Sequence, residues 1–322
     1  MATYKELHGV NIQYRDSDAT AIEGDVWYNS TFGKLKMYAA LGAWSSGGNL
    51  TTGRKSHGSA GTQTANLVYG GDGPTASQAI SETYDGSSWT EVADLNTARR
   101  CQAGLGTQTA AIQAGGSPPT LSITESFNGT SWTEVADLNT GRNEGAGSVG
   151  ITTAGLIVAG TEGLANAETW DGSSWSEVAG LNTGRESIGV FGVQGSAICA
   201  GGEVTSPSYA IIDSVESWDG SSWTELADMN TNAMRRGGAG SSNTEGILIG
   251  GSIDPPVTAN TEQWNGSSWT EVANLSTARY GAGGTSAGTA SSVAIASGGH
   301  PSRLQTTEEW DVSASIETVA FD

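Results

Sequence analysis

The sequence predicts an all-β fold, a six-bladed β-propeller of four-stranded antiparallel blades preceded by an N-terminal β-hairpin arm. Three observations support this prediction. A unit of about 45 residues recurs along the chain, each unit contains four short strand-like segments between turn residues, and no apolar period of 3.6 residues extends far enough for a long helix. Four short strands in a unit of this length are typical of a propeller blade.

A tryptophan marks each unit. The segment "DGSSWTEVADLNT" (85–97) returns with small changes four more times, and an aromatic residue stands five positions before its tryptophan. The tryptophans are Trp44, Trp89, Trp132, Trp175, Trp223 and Trp269, and the preceding aromatics are Tyr84, Phe127, Trp170, Trp218 and Trp264, with a sixth, Trp310, near the C-terminus. The two aromatics of a unit are expected to fill the wide outer part of the wedge between blades.

Four segments follow one another in each unit. The first begins at an arginine and is rich in small residues ("RKSHGSAGTQ"), as the crowded innermost strand requires. The second is apolar and ends in two glycines ("ANLVYGG"), which allow backbone conformations that a Cβ would disfavour. The third ("SETYDG") and the fourth ("SSWTEVADL") carry the two aromatics. One unit departs from this pattern, with "VAG" (158–160) in place of the paired glycines.

This order of segments resembles the kelch repeat family over about residues 44–312. The resemblance implies a six-bladed kelch-like propeller. Trp44 opens the array as a fourth strand without a blade, and Trp310 closes it as a third strand without a following tryptophan. We therefore predict that residues 44–50 complete the last blade and close the ring, which removes two sheet edges. The tail, residues 313–322, contains "ETVA" and is an alternative source of that strand.

Residues 1–43 form the predicted arm. The segment "GDVWYNSTFGKLKMY" (24–38) reads as a hairpin and resembles short segments of bacteriophage tail and fibre proteins. The resemblance implies a virion protein present in many copies, made in the host cytoplasm and attached to other virion proteins through residues 1–43. The N-terminus lacks the apolar segment of a signal peptide, and no apolar run long enough to insert into a membrane is present.

Charge excludes several classes of partner. The 322-residue chain has 14 basic and 34 acidic residues, a formal net charge of −20, and no basic stripe that would bind nucleic acid. Each unit also has one arginine and one glutamate at fixed positions, and we predict that they form structural ion pairs rather than an anion site. The pairs are Arg54 and Glu82, Arg99 and Glu125, Arg142 and Glu168, Arg185 and Glu216, Arg236 and Glu262, and Arg279 and Glu308.

No catalytic, metal or cofactor site is predicted. The turn "DGSSW" resembles the Asp box of sialidases, but six evenly spaced arginines do not single out the arginine triad that sialidase chemistry needs. A copper oxidase needs several histidine and tyrosine ligands, and the three histidines, His8, His57 and His300, fall in different contexts. Calcium at the Asp-rich turns stays open. We therefore expect a protein that is not an enzyme.

The connections between second and third strands differ in length and content from unit to unit, and all six should emerge on one face. Loops that vary on a rigid scaffold are typical of a binding surface. The candidate ligand-binding residues are Pro207, Tyr209, Ile211, Ile212, Arg235, His300 and Arg303. Alternatively, the apolar residues among them pack against the next blade. The expected function is recognition of a host receptor, a glycan or another virion protein. The alternatives are a purely structural capsid-decoration or tail-scaffold protein and, less favoured by the residues, a propeller enzyme.

Overall fold

The computed structural model describes residues 12–18, 25–101, 103–143, 146–205, 208–282, 292–295 and 302–318. The chain forms two compact units. The N-terminal unit comprises Met1–Ala43 and Asp311–Asp322, and the propeller unit comprises Trp44–Trp310. No helix among the described residues is long and apolar enough to cross a membrane.

The propeller unit contains five complete four-stranded antiparallel sheets, blades 1 to 5. Blade 1 is β4 (Gly58–Gly61), β5 (Asn66–Tyr69), β6 (Ser81–Tyr84) and β7 (Trp89–Val92); blade 2 is β8 (Ala103–Thr107), β9 (Ala110–Ala114), β10 (Thr124–Phe127) and β11 (Trp132–Val135). Blade 3 is β12 (Gly147–Ile151), β13 (Ala154–Val158), β14 (Ala167–Trp170) and β15 (Trp175–Val178). Blade 4 is β16 (Gly189–Val193), β17 (Ser196–Ala200), β20 (Val215–Trp218) and β21 (Trp223–Glu225), with a ribbon, β18 (Glu203–Val204) and β19 (Ala210–Ile211), between its second and third strands. Blade 5 is β22 (Gly237–Ser242), β23 (Glu245–Ile249), β24 (Thr261–Trp264) and β25 (Trp269–Val272). The prediction of an all-β propeller is confirmed.

The first strands of successive blades lie beside one another, β4 next to β8, then β12, β16 and β22. Their approach is too close for larger side chains. A Cβ on Gly238 would lie 2.1 Å from the carbonyl oxygen of Val190, and one on Gly104 would lie 2.8 Å from the backbone nitrogen of Ser59. The small residues of the first segment therefore allow the innermost strands to converge.

The aromatic residues fill the outer part of each blade. In every blade the third-strand aromatic contacts the fourth-strand tryptophan, with ring centroids 4.8 to 5.2 Å apart. The indole N–H then reaches the preceding blade: Nε1 of Trp132 donates to Ser81 Oγ at 3.2 Å, and Nε1 of Trp175 donates to Thr124 Oγ1 at 3.2 Å. One residue type thus packs its own blade and fixes it to its neighbour.

Within the propeller unit, blade 6 consists of β26 (Ser292–Ile295) and the parts of β27 (Glu308–Thr318) and β3 (Lys34–Ser46) that fall in residues 44–310, in the order β3, β27, β26. It includes the ring pair Trp44 and Trp310. Nε1 of Trp44 donates to Ala273 O of blade 5 at 2.9 Å. Nε1 of Trp89 in blade 1 donates to both Gly48 O and Thr307 Oγ1 at 3.0 Å. Blade 1 therefore contacts residues from both ends of the array, and the outermost strand of blade 6 comes from the N-terminal side of the array. That strand ends at Ser46, so residues 47–50 follow it as a connection.

In the N-terminal unit, β2 (Val26–Asn29) and the first part of β3 form an antiparallel hairpin, with Val26 opposite Met37. Asn29 Oδ1 accepts the backbone N–H groups of Thr31 and Phe32 at 3.1 Å and shapes the turn. An additional strand, β1 (Ile12–Arg15), runs parallel to β2 and lies at the sheet edge. The sequence predicted the hairpin but not this parallel strand.

Candidate functional site at the variable face

The two faces of the propeller differ in what they display. Turns between first and second strands and between third and fourth strands lie on one face. The connections between second and third strands, together with the linkers between blades, lie on the other, which we call the variable face. This division follows from the antiparallel order of the strands in each blade.

An Arg–Glu pair, here called a lock, holds the base of each variable connection. In blade 2, Arg99 Nη2 pairs with Glu125 Oε1, while Nη1 donates to the carbonyls of Gly115 at 3.2 Å and Ile123 at 3.0 Å, one at each end of the connection. Glu125 Oε2 accepts the backbone N–H of Asn96 in the linker at 2.8 Å. Burial lowers the pKa of the Arg99 guanidinium, and the charge of Glu125 opposes that shift. Such a pair is internal to the fold.

All six predicted Arg and Glu pairs are present and buried: Arg54–Glu82, Arg99–Glu125, Arg142–Glu168, Arg185–Glu216, Arg236–Glu262 and Arg279–Glu308. Their arginines lie in the linkers before the first strands, not at the strand starts that the sequence suggested. All six arginine side chains are covered, and five of them donate to backbone carbonyls, so a ring of six arginines is not offered to a ligand.

Blade 5 departs from the common lock geometry. Ala233 occupies the position that arginine has elsewhere, since Ala233 O accepts the N–H of Gly202 just as Arg99 O accepts that of Gly71. Arg236 reaches Glu262 from three residues further along, with Nη2 2.9 Å from Oε1. Among the described residues, no nitrogen of the Arg236 guanidinium has a hydrogen-bond partner of good geometry. The sequence-based assignment of Arg236 as an equivalent of the other five arginines is therefore corrected.

The predicted loop residues are not all brought together. Tyr209 is 56% exposed and donates from its hydroxyl to Asp254 Oδ2 of the next blade at 3.3 Å. Ile211 and Ile212 are half-buried. Their exposure therefore does not separate the two alternatives, contact with a ligand and packing against the next blade. Pro207 and His300 lie outside the described residues. Arg235 and Arg303 belong to a separate group at the centre of the face.

An open chain of four backbone hydrogen bonds, which we call the axial collar, runs around part of that centre. Arg235 N donates to Ser187 O, Gly281 N to Arg235 O, Ser56 N to Gly281 O, and Cys101 N to Ser56 O, at 2.6 to 3.0 Å. All five residues have left-handed backbones, with φ between 53° and 65°. Non-glycine residues in this region are uncommon and mark places where the surrounding structure fixes the backbone. Here they turn the chain from each linker into its innermost strand.

Positive side chains gather beside the axial collar. Asp72 faces Lys55 Nζ at 3.7 Å, Arg100 Nη1 at 3.6 Å and Arg303 Nη2 at 3.0 Å. The ring of Tyr280 lies 5.8 Å from Lys55 Nζ and 5.5 Å from the guanidinium carbon of Arg235. The mouth cluster is Lys55, Asp72, Arg100, Arg235, Tyr280 and Arg303.

The mouth cluster accounts for the basic residues that the locks leave over. Residues 44–310 contain ten basic side chains, six of which form the locks, and the other four are Lys55, Arg100, Arg235 and Arg303. The sequence identified Arg235 and Arg303 but missed Lys55, Arg100, Asp72 and Tyr280. For Lys55, Arg100 and Tyr280 the missed signal was the position after the lock arginine, which holds a different residue in each of these blades.

Other chemistry has less support in the described residues. Burial raises the pKa of the Cys199 thiol to about 12, which keeps it protonated and unreactive at neutral pH. Among the ranges that the structure describes, no group of three or more His, Cys, Asp and Glu side chains is arranged to hold a metal ion.

No protein-family model and no curated protein matches this sequence. In structure, the chain is similar to the solved protein described as "Structure of YjhT", with a TM-score of 0.64 and 14% sequence identity. The similarity covers 84% of this chain and 99% of that chain. At this identity the likeness concerns the fold alone, and it agrees with an all-β propeller of four-stranded blades.

Proposed function

We propose that this chain is a non-enzymatic, kelch-like component of a bacteriophage particle whose variable face binds a host-surface receptor or glycan, or another virion protein. Residues 1–43 attach it to the particle. The protein is made in the host cytoplasm and assembled in many copies into the virion.

The observation that carries this proposal is the contrast between the two ends of each blade. On one face, the turns between third and fourth strands repeat almost unchanged, as with Asp85 and Asp171, each of which accepts backbone N–H groups two and three residues ahead. On the variable face, one connection contains a strand ribbon and another contains a single 3-10 turn (Thr161–Gly163). A constant ring that displays unlike loops is suited to recognition.

Exposed aromatic residues support both halves of the proposal. Tyr209 is the large hydrophobic side chain exposed on the described part of the variable face. In the N-terminal unit, Tyr14 is 80% exposed and Phe32 is 66% exposed. Aromatic side chains are enriched in protein interfaces because one residue supplies much contact area. These two residues are therefore suited to contacts with another virion protein.

The test measures binding of the purified chain, in multivalent form, to bacterial cells and to a broad glycan array. Residues 206–213 are replaced by a short Gly/Ser turn in one variant. The matched control is the double variant Ile151→Ser and Val193→Ser, which removes exposed apolar side chains from the opposite face. We expect the loop variant to lose binding and the control to keep it. Equal binding by both would contradict a site on this loop, and no binding by the intact chain would favour a decoration or scaffold protein.

A further inference from the structure

We propose that the mouth cluster is a binding site for an acidic polysaccharide, which it recognises through the carboxylates of that polymer. This inference rests on the proposed function, because it assigns a ligand chemistry to the variable face. It adds a second contact region at the centre of the face, beside the axial collar, to the outer loop that contains Tyr209.

The first step is the excess of positive charge around Asp72. A single buried carboxylate is neutralised by one cation, yet three cations approach this one. The side chain of Asp72 is 10% exposed, whereas those of Arg100 and Arg303 are 41% and 37% exposed. The surplus charge therefore faces solvent. In a chain of net charge −20, this surplus is a local reversal of sign that attracts anions.

The second step concerns direction. The backbone bridge that joins Lys55 to Asp72 in blade 1 joins Arg100 to Ser117 in blade 2 and Glu186 to Glu203 in blade 4. Of these two positions, blade 2 has one positive and one neutral residue, whereas blade 4 has two negative residues. An anionic group is drawn toward blades 1 and 2 and repelled from blade 4, so the site orients its ligand.

The third step concerns the acidic group. Guanidinium groups bind carboxylates through two parallel N–H donors, and three of the four cations in the mouth cluster are arginines. Arg303 already uses Nε and Nη2 on Asp72, at 3.2 Å to the carbonyl and 3.0 Å to the carboxylate. Arg100, at 3.6 Å from the same carboxylate, makes a looser ion pair. We assign Arg100 as the principal contact for the ligand and Arg303 as its support.

The fourth step distinguishes a polysaccharide from an acidic peptide. Peptide recognition depends on apolar anchors that fill pockets. The aromatic ring of the mouth cluster, Tyr280, is 9% exposed and lies between two cations, so it offers little surface. The polar, charged surface around it suits a hydrated polymer with many hydroxyl groups.

The experiment uses the full chain and three probes: polygalacturonate as a polyuronate, dextran as a neutral polysaccharide, and poly-L-glutamate as an acidic peptide. The test variant is Arg100→Gln with Arg303→Gln. The matched control is Thr133→Glu with Thr270→Glu, which makes the same change of −2 in net charge at exposed positions of the outermost strands of blades 2 and 5. We expect polygalacturonate binding that weakens about tenfold or more in the test variant and less than about threefold in the control. Binding should also weaken as salt screens the charges.

Three results would overturn the inference: equal affinity of test and control variants for polygalacturonate, no polygalacturonate binding, or poly-L-glutamate binding as tight as polygalacturonate binding. If the test variant failed to fold, salt dependence of the intact chain would decide, and affinity unchanged by salt would count against the site. Cell binding that survives the double substitution would leave the proposed function intact while this inference fails. If the intact chain bound polygalacturonate but no bacterial cell, this inference would stand and the proposed recognition of a host surface would fail.

Discussion

Lock arginines and mouth-cluster residues are neighbours in the chain at several points, yet their surroundings differ. Arg99 is covered, pairs with Glu125 and holds two carbonyls, whereas Arg100 directs its guanidinium to the surface. In five of six blades the lock position is arginine, but the next residue is Lys55, Arg100, Asn143, Glu186 and Tyr280 in those blades. At the lock position, repetition thus goes with burial. The residue after it varies, and its exposure ranges from buried, as in Asn143 and Tyr280, to 41% for the side chain of Arg100.

The acidity of the chain belongs largely to the repeated part. In blades 1 to 5 the lock glutamate stands directly opposite another glutamate on the outermost strand, as Glu82 opposite Glu91 and Glu125 opposite Glu134. Like charges in these positions repel one another, and the lock arginine offsets the repulsion. Charged residues on an exposed edge strand also prevent edge-to-edge pairing with other sheets. Much of the net negative charge therefore comes from glutamates of the repeated blade structure, and the positive mouth cluster is a local exception to it.

Breaking a lock should have the largest effect on stability. Glu125→Ala leaves the buried Arg99 guanidinium without its carboxylate and removes the acceptor of Asn96 N. Loss of one partner of a buried ion pair costs about 3–5 kcal/mol. The adjacent change, Arg100→Gln, is a natural control, because surface substitutions usually shift stability by about 0.5 kcal/mol or less. Denaturant unfolding monitored by tryptophan fluorescence measures both, and similar midpoints would show that the two positions do not differ as described.

The blade 5 lock sharpens the comparison, since Arg236 reaches its glutamate from another position. A double-mutant cycle with Arg236→Met and Glu262→Gln should give a smaller coupling free energy than the cycle with Arg99→Met and Glu125→Gln. The expected difference is about 1–2 kcal/mol, because hydrogen bonds to charged groups are missing from the Arg236 guanidinium. Coupling of equal size in the two blades would mean that the departure of blade 5 has no energetic consequence.

The repeated part was predictable from the sequence because each of its constraints occurs several times. Fixed aromatic spacing, paired glycines and one arginine per unit identified blades, packing and ion pairs. The mouth cluster was not predictable in the same way. Arg303 meets Asp72 only after ring closure brings blade 6 beside blade 1, which are about 230 residues apart in the chain. The sequence did not reveal that Ala233 stands at the lock position of blade 5, because Arg236, three residues further along, supplied the expected residue type.

The turns on the constant face allow a smaller, pH-dependent test. Hydrogen bonds from the Ser87 hydroxyl and from the N–H groups of Ser88 and Ser87 lower the pKa of Asp85 to about 2, below the ordinary value of 3.8, and Asp171 and Asp219 show shifts of the same size from equivalent bonds. A pKa lower in the folded state means that the stabilisation is present above about pH 4 and is lost as pH falls toward 2.

Blade 2 shows which substitution to use, because Asn128 accepts the equivalent N–H groups of its own turn without carrying a charge. The triple variant Asp85→Asn, Asp171→Asn and Asp219→Asn should therefore fold normally and lose less stability than the parent between pH 4 and pH 2. Thermal unfolding across that range measures the difference. Parallel curves for the two proteins would indicate that these carboxylates contribute nothing to the acid sensitivity.

The smallest expected effect concerns Ala159, which replaces the first of the two glycines that follow the second strand in the other units. Ala159 has φ of 64°, matching Gly115 at 70° and Gly201 at 61° in neighbouring blades. A side chain in this region strains the backbone, so Ala159→Gly should stabilise the fold by about 0.5–1 kcal/mol, although glycine also gains freedom in the unfolded chain. The reverse change, Gly115→Ala, is the control and should destabilise, because its Cβ would lie 2.4 Å from Arg142 O. An unfolding midpoint that stayed unchanged or fell in Ala159→Gly would mean that contacts of the Ala159 side chain in blade 3 offset the backbone strain. The equivalent positions would then differ in energy although their φ angles agree.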